Sequence, residues 1–139
     1  MTIAGDDYTA ILALYARVYE AADDGRPEAF GACYTTNGTL TIAGKLTCRG
    51  RVAVVERNRT NVAARARAGT VRRHWCSQVL LEGVAGGSVR GRCYFQAYDI
   101  TPGAPPVLTH VGRCDDVIAR EDGHWCFASR SVSFDFALR

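Results

Sequence analysis

The chain has 139 residues, 47% hydrophobic and 22% charged, with a formal net charge of +3. This length suits one domain around one core, residues 1–139, and the balance of apolar to charged residues excludes disorder. The longest apolar runs, such as Ile11 to Leu14, fall far short of a bilayer span and the opening Met-Thr-Ile-Ala-Gly-Asp-Asp is acidic, so a cytoplasmic protein with no membrane segment is expected.

Residues 7 to 24 carry Tyr8, Ile11, Leu12, Tyr15, Val18, Tyr19 and Ala22 at helical spacing behind Asp6 or Asp7 as cap, which predicts an amphipathic helix ended by Gly25. Pro27 suits the first turn of a short second helix reaching about Cys33. Thr36 to Ala43 and Leu46 to Cys48 are β-prone runs broken at Gly44. Gly50 to about Ala68 then reads as a long Ala- and Arg-rich helix closed by Gly69. From Thr70 the period changes to that of strands: Val71 to Glu82, Ser88 to Ile100, Val107 to Arg120 and Trp125 to Phe136. Turn residues separate them at Gly86-Gly87, at 101–106 and at 121–123.

Helices first and a long antiparallel meander afterwards predict an α+β fold, a strongly curved sheet wrapped over the N-terminal helices. Alternation along the first long strand places His74, Cys76, Gln78 and Leu80 on the inner face and Trp75, Ser77, Val79 and Leu81 on the outer one. Both faces are apolar. The outer one therefore calls for a second subunit, and a homodimer or higher homo-oligomer through the sheet is expected.

Cys33, Cys48, Cys76, Cys93, Cys114 and Cys126 are scattered without a Cys-x-x-Cys pair and fall mostly in strand-like runs, which reads as reduced, structural thiols. Asn37 and Asn58 begin Asn-x-Thr sequons, which carry little weight without an export signal. Arg49, Arg51, Arg57, Arg59, Arg65, Arg67, Arg72 and Arg73 crowd one stretch, opposite an acidic stretch from 6 to 28. An anionic ligand or nucleic acid is conceivable there, but Lys45 is the only lysine and most of this cluster lies on a helix needing a solvated face. No RNA-binding aromatic motif accompanies it, so a nucleic-acid partner is not expected. The histidines His74, His110 and His124 show no metal-ligand spacing and no nucleotide-binding glycine pattern is present, so neither metal nor cofactor is expected.

Three segments resemble the SnoaL-like branch of the nuclear transport factor 2 superfamily, and within it the scytalone dehydratase-like proteins. Leu14 to Phe30 resembles the family's opening, a tyrosine-containing helix ending in an aspartate, followed by a turn and a second short helix. Arg72 to Gly83 resembles the strand that carries a histidine after one or two arginines. Gly112 to Arg130 resembles the family's final hairpin, with Cys114 in place of the usual tyrosine. The resemblance implies a cone-shaped barrel, its helices packed in a mixed, mostly antiparallel sheet. It aligns Asp23 with the aspartate of SnoaL-like dehydratases and His74 with their base. Ala22 and Val18 stand where some of those dehydratases carry tyrosine, and Tyr19 is the nearest substitute.

Asp23 continues the apolar helical face and points inward, whereas Asp24 is rotated about 100° further, toward water. An inward Asp23 is either a helix C-terminal acid satisfied by backbone or arginine, or half of a pair with His74. In the pair it sets the imidazole tautomer and leaves the other nitrogen as a base for a proton next to a carbonyl. Tyr15, Tyr19, Gln78, Tyr94, His110, Cys114 and Arg130 are candidate pocket liners, with Arg130 and Asp116 expected to pair. The resemblance implies a cofactor-independent lyase or isomerase, of dehydratase or cyclase type, acting on a hydrophobic cyclic or polyketide-like small molecule. The alternative is a noncatalytic binding or assembly module like the small subunit of ring-hydroxylating dioxygenases, its pocket filled by Phe95, Trp125 and Phe127. An open cavity of roughly 300 Å³ or more distinguishes the two.

Overall fold

The computed structural model describes every residue from Met1 to Arg139. Its elements run α1 (Gly5–Asp23), α2 (Pro27–Ala32), β1 (Tyr34–Ile42), β2 (Lys45–Arg49), α3 (Arg51–Ala68), β3 (Val71–Gly83), β4 (Val89–Ile100), β5 (Val107–Glu121) and β6 (His124–Ala137). The six strands form one sheet in the order β2-β1-β6-β5-β4-β3. Only β1 and β6 run parallel. This is the expected α+β arrangement, a mixed and mostly antiparallel sheet with the N-terminal helices against its inner face.

Helix α1 buries Ile11, Leu14, Tyr15, Val18, Ala21 and Ala22, one stripe at helical spacing. It starts at Gly5 with Ala4 as N-cap and no side-chain cap, not behind Asp6 or Asp7 as its cap. The reason is that Asp7 is committed elsewhere: it accepts a 2.9 Å hydrogen bond from the Trp125 indole and pairs with Arg120, tying the start of α1 to the β5–β6 hairpin. Gly25, at φ +70°, turns the chain sharply so that α2 can begin at Pro27. Helix α3 ends at Gly69 in the left-handed conformation and packs on α2, β1 and β2, burying only Val54 and Asn58.

Alternation on β3 holds for His74 and Cys76 and then breaks. Gln78 sits at φ +49°, and the register with β4 slips between Ser77 and Leu80. One extra residue in a strand reverses the facing of all that follow it. Val79 and Leu81 therefore turn inward, and Gln78 and Leu80 turn out to solvent, the reverse of the uninterrupted pattern. The six thiols are free, five of them buried and Cys76 half-buried.

The core holds a buried charge pair. Asp116 on β5 faces Arg130 on β6 directly across the ladder, with Arg130 Nε 3.4 Å from Asp116 Oδ1. Oδ1 makes no hydrogen bond and has the ion pair alone, while Oδ2 accepts the Tyr15 hydroxyl proton at 2.7 Å. Gly91 makes room for this contact, since a Cβ there would lie 2.2 Å from the Tyr15 oxygen. Burial pushes the Asp116 carboxyl up to about 7, against the pull of Arg130.

A carboxyl raised in the folded state takes up a proton on folding, so its contribution is full below the unfolded value of 3.8 and is lost as pH rises through about 7. Urea unfolding is expected to show that the stability difference between wild type and Asp116→Asn changes in favour of Asp116→Asn as pH rises through that window. A difference that is flat with pH would contradict the assignment.

Candidate active site

Asp23 closes α1, and its carboxylate receives two hydrogen bonds from one residue of β3. The His74 backbone N–H donates to Oδ2 at 2.8 Å, and ring Nδ1 lies 2.6 Å from Oδ1. The Asp23 side chain is 5% exposed and that of His74 19%. Neighbouring Asp24 instead pairs at the surface with Arg26 and Arg73. A carboxylate only accepts, so in the neutral ring Nδ1 carries the proton and Nε2 the lone pair. The imidazole packs beside Tyr19, centroids 5.1 Å apart, and against Phe95 at 6.4 Å.

His74 also lines a half-open cavity of about 220 Å³. Phe30, Tyr34, Phe95 and Phe134 supply aromatic walls, His110, Cys114 and Arg130 supply polar groups, and Arg57, Asn58, Asn61 and Arg65 of α3 stand with Arg72 around it. The volume is below the roughly 300 Å³ set as a threshold, yet an apolar cavity of roughly 150 Å³ already holds benzene. Asp23 lies behind His74, on a shallow surface cleft that also touches Tyr15 and Tyr19.

Of the residues singled out from sequence, Tyr19, His74, His110, Cys114 and Arg130 surround the cavity. Tyr15 does not; its hydroxyl is engaged by Asp116 beneath it. Gln78 is turned out by the β3 bulge, and Tyr94, 53% exposed, lies on the outer face because β4 directs Cys93 and Phe95 inward. Neither belongs to the pocket.

The polar groups of the cavity have assigned roles. The Tyr19 oxygen accepts from Arg130 at 3.0 Å and lies 3.6 Å from the Cys114 sulfur, a contact in which either group can donate. Burial holds this phenol well above its usual range, and it stays protonated. The Thr109 hydroxyl donates to the Ala97 carbonyl, so His110 Nδ1, 2.9 Å from the same oxygen, must donate to it. Burial and then the nearby Arg72 charge lower the His110 pKa, leaving a neutral ring with its lone pair on Nε2.

The sequence reading missed the α3 face. Arg57, Asn61 and Arg65 recur at i, i+4, i+8, and Asn58 sits one turn beyond the buried Val54, so polar residues continue an inward stripe. That continuation was the available signal, and the abundance of arginine hid it. Asn58 is 5% exposed and its Oδ1 has no partner.

The sequence model described as a SnoaL-like domain matches residues 5–131. No curated protein matches the chain by sequence. Among solved structures, ActVI-ORFA from Streptomyces coelicolor superimposes with a TM-score of 0.84 at 19% identity, covering 95% of this chain and 97% of that one. A candidate scytalone dehydratase from Novosphingobium aromaticivorans gives 0.77 at 18% identity, covering 95% and 89%. A protein from Catenulispora acidiphila in complex with S-DNPA gives 0.77 at 24% identity, covering 92% of each chain. At these identities the likenesses establish the fold, the cystatin-like or nuclear transport factor 2-like one.

Two substitutions report on this geometry by urea unfolding. Asp23→Ala leaves a main-chain N–H and a ring N–H of His74 without their acceptor and is expected to cost about 1–3 kcal/mol. Asn58→Leu replaces an unpaired buried amide with an apolar side chain of similar size and is expected to stabilise the protein by about 1 kcal/mol. Opposite signs would contradict the site as described.

Proposed function

The chain belongs to the SnoaL-like domain family, and on that footing we propose that it is a cofactor-independent lyase or isomerase, of dehydratase or cyclase type, acting on a hydrophobic cyclic small molecule. The observation that carries the reading is the Asp23–His74 contact, a 2.6 Å hydrogen bond behind an imidazole that lines a cavity. His74 Nε2 takes a proton from carbon next to a substrate carbonyl, and the Asp23 carboxylate stabilises the imidazolium that forms. In a dehydration the C–H electron pair becomes the new double bond and the C–O bond breaks. The proton held on His74 then leaves with the hydroxide as water. In an isomerisation it returns to another carbon. A cyclisation shares the first step, the enolate carbon attacking a second carbonyl.

No carboxylic acid lines the cavity, so the same imidazole serves as base and then acid. The aromatic walls keep water away from the carbanion, which suits an apolar ring system. A noncatalytic module would need the cavity filled. Phe95 does lie on its wall, but Trp125 is turned to Asp7 and Phe127 packs against Tyr15 and Tyr34 in the core.

Self-association through the outer sheet face belongs to the same proposal. Trp75, Leu80, Tyr94 and Val117 are exposed there. No helix is long and apolar enough to cross a membrane, and the free thiols suit a reducing compartment such as the cytoplasm.

Against a panel of β-hydroxy ketones, turnover by wild type is expected, with Asp23→Asn and His74→Gln each lowering kcat/KM by about 10²- to 10⁴-fold at unchanged circular dichroism. Turnover that is unaffected by either substitution would overturn the mechanism. In size-exclusion chromatography with light scattering, the protein is expected at a multiple of 15.1 kDa, shifting to the monomer in Trp75→Asp.

A further inference from the structure

The cavity is unevenly charged. Four arginines line it, Arg57, Arg65, Arg72 and Arg130, and no carboxylate does. Two of the four are neutralised within the protein. Arg72 makes a bidentate pair with Asp99 at 2.7 and 2.9 Å, and Arg130 faces the buried Asp116. The other two, both on α3, have no acid left to them: Asp23 is bound to His74, and Glu28 and Glu56 are taken by Arg59. The single hydrogen bond of the Arg65 guanidinium is a long one, 3.4 Å to the Ala22 carbonyl. Burial and then the neighbouring Arg72 charge lower its pKa, against a weaker pull from Asp23 and Asp99.

Asn58 lies between these two arginines in sequence and is almost wholly buried. Its Oδ1 has no partner in the protein. That oxygen is an acceptor and suits a hydroxyl of a ligand, whereas the guanidinium groups of Arg57, exposed, and Arg65, half-buried, suit its charge. The opposite wall is aromatic, with Phe95 and Phe134 in edge contact at 6.1 Å. A cavity of about 220 Å³ accommodates one substituted ring or two fused rings.

We propose that the ligand is an anion, a one- or two-ring carboxylate or acidic phenol, whose charged group is held by Arg57 and Arg65 of α3 while its ring lies on Phe95 and Phe134 next to His74. A guanidinium meets a carboxylate or phenolate through paired charge-assisted hydrogen bonds. In the reaction proposed above, the same two guanidinium groups are cavity-lining donors for an enolate oxygen, the stabiliser that His74 and Asp23 do not provide. The inference rests on the reading of this cavity as the ligand site, but not on the reaction.

The test is calorimetric titration of the whole protein with 2-naphthoate and its neutral analogue 2-naphthamide. Naphthoate is expected to bind about tenfold or more tightly than the amide, with a preference that weakens as salt is raised. In Arg57→Gln/Arg65→Gln the preference is expected to fall to about twofold or less while the amide still binds. Equal binding of the two probes, a preference unchanged in the double variant, or no binding of naphthoate at millimolar concentration would each overturn the proposal. Because binding is read without turnover, His74→Gln separates the two claims. Retained naphthoate preference in a wild type whose turnover is indifferent to His74 would leave the anion site standing and remove the base mechanism.

Discussion

The carboxylate of Asp23 holds the end of α1 to the start of β3 through both the main chain and the ring of His74. A single acidic group thereby does two physically distinct things. It satisfies a backbone donor close to the entrance of the sheet, and it decides which imidazole nitrogen carries the proton. Its near-complete burial matters for both, since a hydrogen bond shielded from water is stronger and harder to exchange for solvent. The position of the carboxylate follows from the helix: Asp23 lies on the stripe that buries Tyr15, Val18 and Ala22, and Gly25 turns the chain away two residues later.

Below this clamp lies a second buried system. Arg130 contacts Asp116 and Tyr19, its guanidinium carbon sits over the Phe127 ring at 4.6 Å and the Tyr19 ring at 5.0 Å, and Tyr19 in turn packs beside His74. Removing one member of such a set strands a charge in the interior, which costs more than the pair itself contributes. The network therefore acts as a floor for the imidazole, fixing the ring plane while Asp23 fixes its edge. The bulge at Gln78 belongs to the same construction: it lets β3 present His74 and Cys76 inward at one end and Leu81 inward at the other.

Much of this was legible in the chain. The ends of α1 and α3 and the four long strands follow from periodicity and from Gly25, Gly69 and the Asp122-Gly123 turn, where local chemistry and tertiary structure agree. Asp23 was readable as inward because helical spacing is rigid, and its contact with His74 followed only from resemblance, since nothing in 51 residues of separation states a distance. Gln78 failed because a bulge has no strong sequence signature at a non-glycine residue. Tyr94 failed because an aromatic residue on a strand is equally at home on either face of a two-sided apolar sheet. The α3 wall was misread for a compositional reason: in a chain with one lysine, arginine marks every positive position and so no longer marks a special one.

The chemistry of the site turns on the state of one ring, that of His74, and nitrogen-15 NMR of histidine-labelled protein reads that state directly. At neutral pH the two-bond correlations of His74 should report a proton on Nδ1 and a bare Nε2, with the Nδ1 proton shifted far downfield by the short bond to Asp23 and lost in Asp23→Asn. A His74 ring protonated on Nε2 alone, or one whose signals ignore the substitution at Asp23, would contradict it.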